Sequence, residues 1–315
     1  MVYYPYLRGK QFELLALREA APTLASSNFT PIIEPVKESG KSLERSLSAL
    51  SASNATAFLV INPEFGALAT AENSNTLFEQ NDTPSNIIQT IRLDKNISLD
   101  AAKALIEEIK DSPFAIIHSG FDSPDDIAQI LNTLTVPITH IFIDGTVSKL
   151  YRRKFKGNDR VLLRDSFTRQ KNASYPNVEY FSDLHIVFDE EGVNGFGDFL
   201  TVGDYYSESG GPAYAVAIHL TFIDPSKDDA MYVYHFVSDS NDSPTDPAGK
   251  FAQAVSKLVV LYKSGQSNLV HTSALKELID LHNRGHFPGL GYIKKLSIKH
   301  HIETLADYFT KNNSV

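Results

Sequence analysis

Residues 114–145 read FAIIHSGFDSPDDIAQILNTLTVPITHIFIDG, and the fold class follows from how this stretch divides. FAIIHSG (114–120) and THIFIDG (139–145) are short apolar runs rich in isoleucine and phenylalanine, largely without polar alternation. Strands of that composition are covered on both faces. Between them, SPDDIAQILNTL (123–134) opens with a serine and two aspartates and then places apolar residues at helical spacing. That is a helix with a marked start. Strand, helix and strand in this order form a βαβ unit, which implies a parallel sheet.

The same unit recurs in both directions. Further strand-like runs are YYPYL (3–7), TPIIEPV (30–36), AFLVIN (57–62), NIIQTIRL (86–93), RVLLRDS (160–166) and FLTVGD (199–204). Amphipathic stretches at 12–25, 42–52 and 98–111 alternate with them. Eight such strands predict an α/β fold, a closed (β/α)8 barrel of the triosephosphate isomerase (TIM) type. The alternative is an open doubly wound sheet, but no glycine-rich dinucleotide fingerprint follows the first strand.

After the seventh run the pattern changes. Residues 167–198 carry weak signals and the acidic stretch DEEGVNGFGD (189–198). AYAVAIHLTF (213–222) and MYVYHFVSD (231–239), joined by IDPSKDDA, read as an inserted β-hairpin. FAQAVSKLVVLYKSG (251–265) reads as the eighth helix, and the remainder as helices with a glycine-rich break. The expected division is a barrel over 1–272, including the hairpin at 213–239, and a C-terminal helical extension over 273–315 packed on the barrel.

Composition narrows the chemistry. Hydrophobic residues make up 42% of the 315, enough for a sizeable core. The net charge of −9 argues against broad binding to nucleic acid or anionic membrane, which needs a cationic field. With no cysteine, disulfides, thiolate catalysis and cysteine-based metal centres are excluded. The opening residues lack the basic and apolar regions of a secretory signal, and no apolar run approaches spanning length, so the expected compartment is the cytoplasm.

In a barrel of this type the functional face is the C-terminal rim of the strands. Arg8 and Lys10 fall just past the first strand, Glu34 and Lys37 after the second, and Asn62 and Glu64 after the third. Arg92 and Asp94 follow the fourth, His118 the fifth, Asp144 the sixth, Arg164 and Asp165 the seventh, and Asp204 the eighth. Two readings stand side by side: a ligand site, or a ring of salt bridges closing the mouth. In the first, Arg8, Lys10, Lys37, Arg92 and Arg164 face an anionic ligand such as a nucleotide or phosphosugar, with Asn62 beside them. Glu34, His118 and Asp144 are the candidate acid–base residues. Asp94, Asp165 and Asp204, with Asn62 and His118, are candidate ligands for a divalent cation of the magnesium type, although their spacing matches no compact motif. Lys10 also fits loosely the Schiff-base position of some pyridoxal-phosphate barrels.

The hairpin adds His219 and His235, each eight residues from Lys227 and therefore directly opposed across an antiparallel pair. Such a pair either shares a ligand, proton or metal, or packs as a buried couple. RRKFK (152–156) and KKLSIKHH (294–301) are the cationic clusters able to touch a nucleic-acid backbone, the former more simply a solvated helix face.

YYPYLRGKQFELLAL, the following FTPIIEPVK, the DGTV of the sixth strand and AIHLTF with HFVSD together resemble the bacterial and phage "beta protein" family. The resemblance covers most of the chain. It implies a cytoplasmic, barrel-like protein, often beside a small nuclease-like partner, with a role in defence against phage or mobile elements. It transfers no catalytic residue. The expected functions are thus an anion-binding barrel working with a protein partner, a metal-assisted phosphodiester or phosphate-ester hydrolase, or a non-catalytic interaction scaffold.

Overall fold

The computed structural model describes residues 2–37, 40–69, 84–155, 157, 159–208, 211 and 213–312. Eight parallel strands form one sheet: β1 (Tyr6–Leu7), β2 (Ile32–Ile33), β3 (Ala57–Val60), β4 (Ile87–Asp94), β5 (Phe114–Ser119), β6 (Ile138–Ile143), β7 (Asp159–Arg164) and, after β8 (Val178–Ser182) has left for a second sheet, β9 (Gly195–Asp198). The ring closes where Tyr3 bridges Phe196. There the Tyr4 amide donates to the Phe196 carbonyl and the Phe196 amide to the Val2 carbonyl, both at 2.9 Å. The protein is a TIM-like (β/α)8 barrel flanked by helices.

Strand alternation sorts side chains into two layers. Tyr4, Tyr6, Ile32, Phe58, Val60, Ile117, Ile141, Val161, Leu163 and Phe199 fill the barrel interior. Tyr3, Ile33, Leu59, Ile91, Ile116, Phe142, Leu162 and Phe196 point outward into the layer covered by helices. The first segment puts two tyrosines inside, and β9 makes room for them with glycine at both inward positions. A Cβ on Gly195 would come within 2.7 Å of the Tyr4 ring. One on Gly197 would overlap the Tyr4 carbonyl oxygen and the Leu163 side chain.

This is why the eighth strand is not where the sequence suggests. FLTVGD has the residues of a strand, yet residues 200–202 form a 3-10 turn and the strand is the GFGD before it. Glycine weakens strand propensity, and here close backbone approach requires it.

The helices begin largely as their sequences dictate. α1 (Gln11–Ser26) and α2 (Lys41–Ala52) follow β1 and β2. The Ser98 hydroxyl accepts the Ala101 amide at the start of α3 (Leu99–Ile109). α4 (Pro124–Leu131) lacks the side-chain cap expected of Ser123 and starts on Pro124 instead. α5 (Lys149–Arg152) is one short turn capped by Ser148, and α6 (Leu184–Val187) lies between β8 and β9.

The second sheet is antiparallel, in the order β10 (Ala217–Asp224), β11 (Ala230–Val237), β8, and its register sets His219 opposite His235. Onto it pack α7 (Pro247–Lys263) and α8 (Ser273–Asn283), forming a hydrophobic cluster of their own. α7 is therefore not the eighth barrel helix. That place, alongside α1, belongs to α9 (Leu290–Asn312), whose Ile298, Ile302 and Leu305 join the barrel core while Ile293 and Leu296 join the hairpin cluster. The hairpin cluster draws on residues before and after position 272.

Charge fixes α9 in place. Lys295, fully buried, meets Glu19 at 2.8 Å and lies over the Tyr292 ring, while Lys294 meets Glu13 at 3.0 Å and Lys299 meets Glu19 at 3.2 Å. The lysines of KKLSIKHH are thus engaged with α1. In RRKFK, Arg152 bonds Glu191 at 3.0 Å, Lys154 pairs with Asp125 and Phe155 is buried.

One carboxylate joins these layers. Asp198 accepts from the Tyr3 hydroxyl at 2.9 Å, the Leu200 amide at 2.9 Å and His301 Nε2 at 3.1 Å. His301 Nδ1 in turn meets the Thr221 hydroxyl at 2.9 Å. No helix among the described residues is long and apolar enough to cross a membrane.

Gly197→Ala is expected to lower stability by about 1–3 kcal/mol, the usual cost of overpacking. Urea unfolding measures the change, and an unchanged midpoint would contradict this account of barrel closure.

Candidate functional site

At the C-terminal mouth the inward residues form one continuous arc. Asp165 accepts the Asp204 amide at 2.9 Å, and Asp204 pairs with Arg8. Arg8 Nε lies 3.4 Å from Glu34, whose other oxygen accepts the Glu64 amide at 2.7 Å. Glu64 pairs with Arg92, which approaches Asp94 at 3.7 Å and Ser119 Oγ at 3.2 Å. Glu34 is fully buried and also accepts from the Tyr6 hydroxyl at 2.9 Å.

In this arc Arg8 and Arg92 each sit between carboxylates, with Glu34, Glu64, Asp94 and Asp204 in direct ion-pair reach. The mouth is net negative. Burial, reinforced by Glu34 and Asp94 against the pull of Arg92, raises the Glu64 carboxyl above its ordinary value. An anion at the centre would have to displace these partners. The arrangement matches the salt-bridge ring more closely than an open anion site.

The other rim residues have local tasks. The Asn62 side chain exchanges two hydrogen bonds with the Arg92 backbone, at 2.7 and 2.8 Å, extending the β3–β4 ladder. Lys10 reaches the Ser207 carbonyl at 2.8 Å and lies over the Tyr206 ring, tying down the loop after β9. Lys37 is exposed.

Parity removes His118, Asp144 and Arg164 from the mouth. Ile117 points inward, so His118 points out. It is fully buried between Tyr151 Oη at 2.8 Å and His140 Nδ1 at 3.0 Å, packed on Phe142 and Phe155. Burial, and then His140, pushes His118 well below its ordinary value. Asp144 and Arg164 likewise lie outside the barrel and bond each other at 2.7 Å. Asp94 stays at the mouth beside Arg92, where it also accepts the Asn96 amide at 2.7 Å. Among the described residues no group of three or more histidine, aspartate or glutamate side chains is placed to hold a metal ion.

A different place has the character of a site. Between the loop after β7, the turn after β9, the hairpin and the first turns of α9 lies a cavity of about 340 Å³. Its wall includes Phe167, Arg169, Asn172, Thr201, His219 and Lys294, and no carboxylate among the described residues. Arg169 lies over the Tyr205 ring and has no ion-pair partner among the described residues. The Thr201 hydroxyl is buried without a hydrogen-bond partner.

Behind this wall His219 Nδ1 meets His235 Nδ1 at 2.6 Å, and His235 Nε2 meets Glu179 Oε1 at 3.0 Å. The Tyr175 ring stacks on His235 and stands edge-on to His219, with Phe167 on a further side. Burial pushes His219 down to about 3 and His235 to about 4, with His235 adding to the effect on His219. The pair is therefore neutral at physiological pH. Of the residues at this place, the sequence singled out the two histidines for their opposition, and Lys294 only within a cationic cluster. Arg169, Thr201, Tyr175 and Glu179 carry no motif and fall outside the regular βα pattern.

Fold and site together define a TIM-type barrel with a cavity of mixed polar and apolar lining beside its mouth, under an added hairpin. No family model, curated protein or solved structure matches the chain.

Two measurements follow from these surroundings. Glu34→Ala removes the acceptor of the Tyr6 hydroxyl and one of the two carboxylates paired with buried Arg8, and should cost about 3–5 kcal/mol in urea unfolding. Burial holds His140 and His219 near 3 and His185, His235 and His300 near 4. Below about 6.5 the unfolded chain takes up protons that the folded chain refuses, so stability is full above that pH. It should fall as the pH drops towards 4, by up to about 1.4 kcal/mol per pH unit for each histidine. Equal stability at pH 7 and pH 5 would contradict this.

Proposed function

We propose that the protein binds a small phosphate-bearing ligand in the cavity between barrel and hairpin. The observation that carries the proposal is the wall itself, which among the described residues offers Arg169, Lys294 and the Asn172 amide, whose nitrogen also donates to the Ala215 carbonyl at 2.7 Å, and no carboxylate. Arg169 has no acidic partner among the described residues, so an anion would meet a guanidinium that needs no exchange of partners. Lys294 is paired with Glu13 at 3.0 Å and would share its charge with the ligand. The Arg8–Arg92 arc is a less suitable anion site, because each guanidinium there already faces two carboxylates.

The same proposal takes up what the resemblance of YYPYLRGKQFELLAL implies. The protein would act in the cytoplasm beside a nuclease-like partner, in defence against phage or mobile elements, with cavity occupancy as the signal passed to that partner.

Thermal unfolding with and without inorganic phosphate and pyrophosphate tests the site. A ligand at 100 times its Kd should add about 2.7 kcal/mol of stability, following RT ln(1 + [L]/Kd). The gain should vanish in Arg169→Ala and persist in Lys154→Ala, which removes a surface cation elsewhere. No shift with either anion, or a shift indifferent to Arg169, would overturn the proposal.

A further inference from the structure

The chain Glu179–His235–His219 has a direction. An ionised carboxylate only accepts hydrogen bonds, so His235 must carry its proton on Nε2, 3.0 Å from Glu179. A neutral His235 then presents a lone pair at Nδ1. The 2.6 Å contact from His219 Nδ1 can be a hydrogen bond only if His219 is the donor. This leaves the lone pair of His219 on Nε2. Of the three residues only His219 lines the cavity, and its Nε2 has no hydrogen-bond partner among the described residues.

The unpartnered nitrogens of His140 and His185 are buried, whereas His219 belongs to the cavity wall. Two aromatic side chains also hold the geometry from outside the chain, Tyr175 stacked on His235 at 4.5 Å and Phe167 edge-on to His219 at 5.1 Å between ring centres.

We propose that Glu179, His235 and His219 form a proton relay presenting His219 Nε2 to the cavity as a general base for the hydrolysis of an anionic ester. The inference rests on the reading of the cavity as a site for anions. Arg169 and Lys294 hold the anionic group of the substrate. His219 Nε2 takes a proton from a water molecule as the water oxygen bonds to the ester carbonyl carbon. The bond from that carbon to the leaving oxygen then breaks, and the proton on Nε2 passes to the leaving oxygen. Ester and water become acid and alcohol, and nothing is oxidised or reduced. While His219 carries the extra proton, its Nδ1–H can shift to His235, placing positive charge next to Glu179. His219 is the catalytic residue, and His235 and Glu179 are positioning residues.

Two readouts on the intact protein test this. Side-chain nitrogen NMR at pH 7 should find His219 protonated on Nδ1 and bare on Nε2, and His235 protonated on Nε2. A His219 protonated on Nε2 would overturn the relay. Hydrolysis of mono-4-nitrophenyl succinate, a carboxylate-bearing activated ester, supplies the kinetic test. His219→Gln should lower kcat by about 10²-fold. Glu179→Gln keeps an acceptor for His235 but removes the charge, and should lower kcat by about tenfold with KM unchanged. A rate equal in wild type and His219→Gln would sink the base.

The two proposals fail separately. If phosphate stabilises the protein but hydrolysis ignores His219, the relay falls and the ligand site stands. If hydrolysis depends on His219 while no anion binds through Arg169, the ligand reading falls.

Discussion

The hydrogen bonds converging on Asp198 are the constraint on which the rest of this structure depends. Burial alone would raise that carboxyl, but His301 and the donors around it outweigh burial and hold it below its ordinary value. A buried charge is tolerated only when it is paired and fully bonded. Satisfying this one brings together the segment before β1, the last barrel strand, the following turn, α9 and the hairpin. Barrel closure and hairpin docking are therefore one event. The cavity exists only where the two bodies meet.

The parts of the fold that obey local rules were legible in the sequence. Buried parallel strands announce themselves as unbroken apolar runs, and seven of the eight lie where such runs occur. The hairpin register followed from counting residues about Lys227. What was not legible depends on contacts far along the chain. Gly195 and Gly197 weaken a strand signal because Tyr4 must come close, and no residue near them says so. Helix α7 is the more plainly amphipathic of the two, yet α9 completes the barrel, with Ile298, Ile302 and Leu305 in its core and Lys294, Lys295 and Lys299 matched to acids on α1.

The candidate site divides in the same way. Sequence position places a residue at a strand end, but inward or outward facing is set by parity, and a shift of one residue reverses it. His118, Asp144 and Arg164 left the mouth for that reason. Arg8 and Arg92 remained, yet their charge is matched or exceeded by neighbours that come from other strands. A list of ionisable residues at a rim therefore says little about the sign of its field until the partners of each are known. The cavity shows the converse. Its lone guanidinium and directional histidine pair come from loops and insertions that the βα pattern does not describe.

The contact between Lys295 and Glu19 joins positions 276 residues apart. Closing so long a loop costs conformational entropy before the contact returns anything, which places the step late in folding and makes it slow. Once formed, it makes opening of the cavity a matter for the whole molecule. Releasing α9 uncovers α1, frees the hairpin from Asp198 and strips Lys294 from the cavity wall together. Proteolysis of the native protein should thus report on global unfolding around this helix, and an occupied cavity would act as a lock on the entire chain.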